Sequence, residues 1–151
     1  MNATDVRVRR PRQYETLIQQ MRDDGGFATM RDVLLFSAAV GKSKERRVPF
    51  DEAGEPIRYE TLTDPEYSSA LVNMIAAVTE ADDPEVLAAS RLKDRIAMFE
   101  EYACGGLEYI QGEMNTRRMS PAVLLPALVV EALSDSVQEQ APIEDLLRGF
   151  F

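Results

Sequence analysis

The placement of proline constrains this chain more than any other feature. Pro11, Pro65, Pro84, Pro121 and Pro142 each stand just before a run whose apolar residues recur with helical spacing, and three of them follow a good N-cap: Asp64, Asp83 and Ser120. Proline is tolerated at the first helical position because its missing N–H would have no intrahelical partner there. Each of these prolines therefore reads as a helix start. The first helix is expected over residues 11–24, with Tyr14, Leu17, Ile18 and Met21 on one face and Gly25-Gly26 ending it. Thr29 caps a second helix, with Asp32 three residues on as a short variant of the capping box. Residues 33–40 are apolar nearly all round, which predicts a central helix. Gly41 suits a left-handed C-terminal cap.

After Pro65, Tyr67, Leu71, Met74, Ile75 and Val78 form one helical stripe. Leu92, Ile96, Phe99 and Ala103 form another. Gly105-Gly106 is expected to break that helix, with Leu107, Ile110 and Met114 continuing in a short one. The helix expected over residues 121–137 is the second most apolar, so it and helix 29–40 are expected to be the most buried. A last short helix starts near Pro142, and Phe150-Phe151 read either as core or as a partner-binding tail. Residues 46–62 change period: Ile57, Tyr59 and Thr61 alternate with Arg58 and Glu60, as a half-buried strand would. Val48 and Phe50 are candidates to pair with that strand, and Pro49 and Pro56 confine such a hairpin to a sheet edge; a loop is the alternative. The predicted fold is mainly α: a compact helical domain of about six or seven helices with a small β-hairpin near residues 46–62. One domain spans residues 1–151, with a basic N-terminal arm over about residues 1–12.

Composition narrows the chemistry. The chain has no histidine and one cysteine. Histidine is the commonest general base and a favoured zinc ligand, so Ser–His–Asp and Cys–His catalysis and histidine-built zinc sites are excluded within the chain. A lone cysteine forms no intrachain disulfide, in keeping with a reducing compartment. The N-terminal residues 1–13 carry charges without an apolar core, so they do not read as a secretory signal, and no run is long enough to span a bilayer. A cytoplasmic protein is expected. The formal net charge of −9 opposes a whole-surface attraction to nucleic acid. The charge is uneven, however: Arg7, Arg9, Arg10 and Arg12 crowd the N-terminus, and Lys42, Lys44, Arg46 and Arg47 form a second cluster.

Gly41-Lys42-Ser43 matches the end of a phosphate-binding loop, but Phe36 occupies the position of its first glycine and a helix, not a strand, precedes it. A helix cap with solvated lysines explains it better. Cys104 sits at an expected helix C-terminus beside Glu100 and Glu101, where a thiolate is disfavoured, so it reads as structural. The acidic pairs Asp23-Asp24, Asp82-Asp83 and Glu100-Glu101 lack the strand-borne lysine of a metal-dependent nuclease and read as caps and solvated faces. No catalytic, metal or cofactor site is assigned. Candidate nucleic-acid contacts are Arg7, Arg9, Arg10, Lys42, Lys44, Arg46 and Arg47. The VRVRR start followed by two helices also resembles a ribbon–helix–helix arrangement, in which strands from two subunits pair.

Four segments carry a wider resemblance: RDVLLFSAAVG (31–41), KERRVPF (44–50), GEPIRYE (54–60) and EEYACGGLEYI (100–110). Together they resemble the Dnd system-associated proteins, small bacterial proteins encoded beside DNA phosphorothioation and restriction genes, and the two-helix start is distantly similar to the small helical DNA-binding protein DndE. The resemblance implies a non-enzymatic accessory or adaptor subunit of a phosphorothioation-linked defence system. Its expected partners are other proteins of that system, with DNA contact through the basic arm and loop, no membrane, and room for a homo-oligomer. The alternative is a dimeric ribbon–helix–helix-type DNA-binding protein.

Overall fold

Where side chains are small, two helix backbones can touch, and that rule sets the centre of this molecule. The computed structural model describes the backbone of residues 6–64 and 66–148 and, Tyr67 apart, the side chains up to residue 135. It is mainly α. Six α-helices occur among the described residues: α1 (Glu15–Asp24), α2 (Met30–Ser43), α3 (Tyr59–Leu62), α4 (Tyr67–Thr79), α5 (Leu92–Arg117) and α6 (Pro121–Arg148). Short 3-10 turns lie at Arg12–Tyr14, Pro84–Leu87 and Ala89–Arg91. One antiparallel pair of strands, β1 (Arg7–Val8) and β2 (Ile57–Arg58), completes the fold.

Helix α5 is the axis. Ile96, Phe99, Ala103, Leu107 and Ile110 are buried along it, and α2 packs across it through Val33, Leu34 and Ala38. At the crossing, a Cβ on Gly41 would overlap the carbonyl oxygen of Tyr102, and one on Gly106 would overlap that of Ser37. Contrary to the expectation from sequence, these glycines neither cap nor break their helices. Gly41 lies inside α2, which runs on to Ser43, and Gly105-Gly106 lie within an unbroken α5. Tertiary contact outweighs their weak helix propensity. The start of α2 is as expected: the Thr29 side chain accepts from the Asp32 N–H, while its hydroxyl donates to the Asp32 carboxylate at 3.0 Å.

The end of α2 is built differently from expectation. Glu45 is the left-handed residue, at φ 53°; its N–H donates to the Lys42 carbonyl at 3.1 Å and the Arg46 N–H to the Gly41 carbonyl at 2.8 Å. This is a Schellman ending with glutamate in the place that glycine usually takes.

The expected hairpin within residues 46–62 is also replaced. Ile57 pairs with Val8 of the N-terminal arm, not with Val48 or Phe50, and Tyr59–Leu62 turns into α3. The arm is no solvated tail. Val8 is fully buried and Pro11 is buried too, and the arm is bonded along its length: Arg12 N–H to the Glu52 carbonyl at 3.0 Å, Gly54 N–H to Arg10 at 2.9 Å, Tyr59 N–H to Val6 at 3.0 Å. The pairing places the apolar Val8 in the core, out of water, while Val48 gives its N–H to the Glu101 carbonyl.

Helix α4 is rotated from its expected stripe. Ser68, Val72, Ile75 and Ala76 face inward, whereas Met74 and Val78 are each 63% exposed. Pro84 does follow its cap, with the Asp83 side chain accepting from the Glu85 N–H, but it opens a 3-10 turn, and α5 begins only at Leu92. Arg95, nearly buried, donates to the carbonyls of Val86 and Ala88 at 2.8 and 2.7 Å and fixes that turn to α5. Pro121 opens α6, which continues through Pro142 to Arg148, so no separate last helix starts there. The expected start at Pro65 and the fate of Phe150-Phe151 lie outside the described residues. Among the described residues no helix is long and apolar enough to cross a membrane.

Candidate interaction surface

The second cationic cluster becomes a strap. After the turn at Glu45, residues 46–50 lie along α5, and the Val48 N–H donates to the Glu101 carbonyl at 3.0 Å. Gly105 permits this approach, since a Cβ there would overlap the Arg46 carbonyl. Glu101 and Tyr102 recur one heptad later as Glu108 and Tyr109, so the same helix face offers a carboxylate and a ring twice. Arg47 pairs with Glu101 at 2.7 Å and Arg46 with Glu108 at 3.1 Å. Lys42 and Arg47 lie over the Tyr102 ring at 5.4 and 5.9 Å; Lys44 and Arg46 lie over Tyr109 at 5.1 and 5.3 Å. Each of these cations is drawn to a ring face by its quadrupole.

The N-terminal arm joins the same helix one residue earlier. The Arg9 N–H donates to the Glu100 carboxylate at 2.5 Å, the Arg9 guanidinium pairs with it at 3.2 Å, and that guanidinium covers the Phe50 ring at 4.7 Å. Glu100 is buried, and desolvation pushes its carboxyl above the usual range against the pull of Arg9. Arg10 is almost buried and pairs with Glu15 at 3.0 Å. Lys42 also pairs with Glu45 at 3.1 Å. Thus Arg9, Arg10, Lys42, Arg46 and Arg47 each hold a carboxylate, Lys44 lies on a ring, and Arg7 is exposed on β1 opposite the exposed Arg58. The structure gathers arm and loop onto α5, but largely as internal ion pairs. Arg58, which only the strand pairing places beside Arg7, has no signal in the sequence.

Cys104 is mid-helix, not at a helix end. Burial, with the nearby Glu108 charge, pushes its thiol up to about 11, so it stays protonated at neutral pH. Among the described residues no three His, Cys, Asp or Glu side chains are grouped so as to hold a metal ion.

A second surface lies where α6 leaves the core. Leu124, Leu125 and Leu128 are buried, but every described side chain from 129 to 135 is exposed, including Val130 at 61% and Leu133 at 64%. Helix α6 is therefore less buried than its apolar sequence suggests. Arg117 at the end of α5 ties it down, bonding Glu113 at 2.6 Å and Glu131 at 3.0 Å. Between α6, Tyr109 and the second half of α2 is a groove of about 460 Å³, with Phe36, Val40, Leu128 and Val129 on its walls and Lys44, Glu131 and Asp135 on its rims.

The family model described as DNA sulphur modification system-associated protein 4 matches residues 7–148, covering arm, strap, α5 and α6 alike. The chain belongs to that family. Membership agrees with the resemblance carried by residues 31–60 and 100–110, and it associates the protein with a DNA sulphur modification system. No curated protein and no solved structure matches the chain significantly.

Proposed function

We propose that this DNA sulphur modification system-associated protein is a non-catalytic, cytoplasmic accessory subunit that acts through protein contacts made by α6 and the groove beside it. The observation that carries this reading is the run of exposed apolar side chains on α6, next to a groove with apolar walls. Contiguous exposed apolar surface of this kind marks sites of association. The cations that would otherwise favour DNA are mostly engaged by carboxylates of the same chain, and each would have to give up that pair to meet a phosphate. DNA contact, where it occurs, is expected to be weak, salt-sensitive and to draw on Arg7 and Arg58. The ribbon–helix–helix alternative gains nothing here, because β1 takes its partner from its own chain.

Co-expression of the tagged chain with the modification and restriction proteins of its system tests this. At least one of them should co-purify in fixed ratio, and Val130→Asp with Leu133→Asp should abolish recovery without unfolding the chain. Failure of every system protein to co-purify would contradict the reading. So would nuclease activity of the purified chain in Mg²⁺ or Mn²⁺ that one carboxylate substitution removes.

A further inference from the structure

We infer that the cleft between the β1–β2 ribbon and α3, with Arg10 at its base and Arg58 and Thr61 on its walls, binds a phosphate group. The site shares no residue with α6 or its groove and extends beyond the accessory reading. The ribbon carries a pairing that costs stability. In its register Arg7 stands directly opposite Arg58, and both are exposed. The Tyr59 N–H donates to the Val6 carbonyl at 3.0 Å, so Val6 and Tyr59 form a hydrogen-bonded pair. The next pair along, Arg7 and Arg58, is then of the non-hydrogen-bonded kind, in which facing side chains lie closest. Like charges placed so repel. Nearby Arg9, Arg10 and Arg31 each hold a carboxylate, but among the described residues neither Arg7 nor Arg58 does.

Beside this pair is a cleft of about 300 Å³ lined by Arg10, Glu55, Pro56, Ile57, Arg58 and Thr61. Its size is at the small end of ligand sites, with room for a phosphate ester and not for a large cofactor. Arg10 is 9% exposed, and its ion pair with Glu15 is incomplete. Nη2 lies 3.0 Å from the carboxylate, yet neither Glu15 oxygen nor Arg10 Nε has a hydrogen-bond partner among the described residues. Nη1 meets the Met30 sulphur, a weak acceptor. A buried guanidinium with unused donors is costly unless another acceptor takes them.

Guanidinium forks bind carboxylates and phosphates alike. The arrangement favours phosphate. Arg10 comes from the arm, Arg58 from β2 and Thr61 from α3, and donors spread around a cleft in this way suit a tetrahedral oxyanion more than a planar carboxylate. Among the cleft walls and the residues paired with them, three cations, Arg7, Arg10 and Arg58, meet two anions, Glu15 and Glu55. That local excess stands out on a chain of net charge −9. Glu55 is exposed in the cleft and opposes an incoming anion, so removing its charge should tighten binding.

The test is an NMR titration of the isotope-labelled full-length chain at neutral pH and low salt. The probes are inorganic phosphate, a nucleoside monophosphate, a short DNA duplex and acetate. Inorganic phosphate should shift the amides of residues 57–61 and the Arg10 and Arg58 Nε–H signals saturably, and acetate at the same ionic strength should bind at least about fivefold more weakly. Arg58→Gln should weaken phosphate about fivefold and Arg7→Gln about twofold, while Glu55→Gln should tighten it about twofold. Arg22→Gln, at an exposed arginine of α1, should change nothing. Arg10→Gln removes a buried ion pair and endangers the fold, so the exposed Arg58 carries the test. Shifts of the same signals by the duplex identify a nucleic-acid backbone as the source of the phosphate; shifts by the monophosphate but not the duplex identify a phosphate monoester. Equal binding of acetate and phosphate would overturn the inference. So would equal loss from Arg58→Gln and Arg22→Gln, or shifts that never saturate. Co-purification of a system protein does not depend on this cleft, so either reading can fail alone.

Discussion

Two helices of similar length, α5 and α6, are treated in opposite ways by this fold. Helix α5 has a mixed, unremarkable sequence and becomes the most buried element. Helix α6 is far more apolar and leaves its described side chains exposed after Leu128. What separates them is contact, not hydrophobicity. Ala103, Gly105 and Gly106 let α2 and the strap reach the α5 backbone, so apolar neighbours interdigitate there. Val129, Val130 and Leu133, the described valines and leucine of α6 beyond Leu128, are exposed. The comparison teaches that burial follows the contacts a helix makes: one helix holds the fold, and the other keeps apolar side chains on its surface.

The largest expected effect breaks the α2–α5 crossing. Gly106→Val would drive a branched side chain into the Ser37 carbonyl, where even a Cβ overlaps, and should cost more than about 4 kcal/mol, enough to prevent folding. A cooperative thermal transition near that of the parent would show that the crossing is looser than described. Phe99→Ala, at a fully buried position of α5, should cost about 3–5 kcal/mol by chemical denaturation.

Smaller effects sharpen the contrast. Glu45→Gly should stabilise the chain by about 1 kcal/mol, because glycine adopts the left-handed φ of 53° without penalty; a loss of stability would mean that the Lys42–Glu45 pair matters more than the backbone. Glu100→Gln tests the anchoring of the arm. Burial holds this carboxyl above its ordinary range, so the folded chain keeps a proton that the unfolded chain has lost. Its contribution is therefore fully present below the unfolded value of about 4.5 and declines as pH rises through the folded one. Glu100→Gln should flatten that decline and change stability at neutral pH by no more than about 1 kcal/mol, since the half-exposed Arg9 regains water. Urea unfolding at several pH values measures both. On α6, Val130→Ser and Leu133→Ser should each shift stability by less than about 0.5 kcal/mol, as exposed positions do. A larger loss would place them in the core.

The same contrast explains what could be read from sequence. The helical class and the Thr29 cap were legible, because capping chemistry is local. The engagement of Arg46 and Arg47 was not, since their partners Glu108 and Glu101 are more than fifty residues away. Glycine was misleading at Gly41, Gly105 and Gly106. Its role as breaker or as contact point is decided by what lies opposite, and a single sequence does not contain that. Alternation at Ile57, Tyr59 and Thr61 suggests a strand reaching Thr61, but it ends at Arg58 because α3 takes over at Tyr59. For α6 the apolar pattern was misleading: residues 121–137 are expected to be among the most buried, yet Val123, Val129, Val130 and Leu133 are exposed. Arg7, Arg9, Arg10, Lys42, Lys44, Arg46 and Arg47 were identifiable as dense cations. Which of them hold carboxylates only the fold reveals.

Amide hydrogen exchange, followed by peptide mass spectrometry, tests the central claim most directly. In the isolated chain, amides of residues 98–110 should be the slowest, and those of residues 129–135 should exchange early, through local opening without tertiary support. On adding the co-purifying protein of the DNA sulphur modification system, protection should rise over residues 129–135 and stay unchanged over the strap, residues 42–50. Protection that rises over the strap while α6 remains fast would contradict the account.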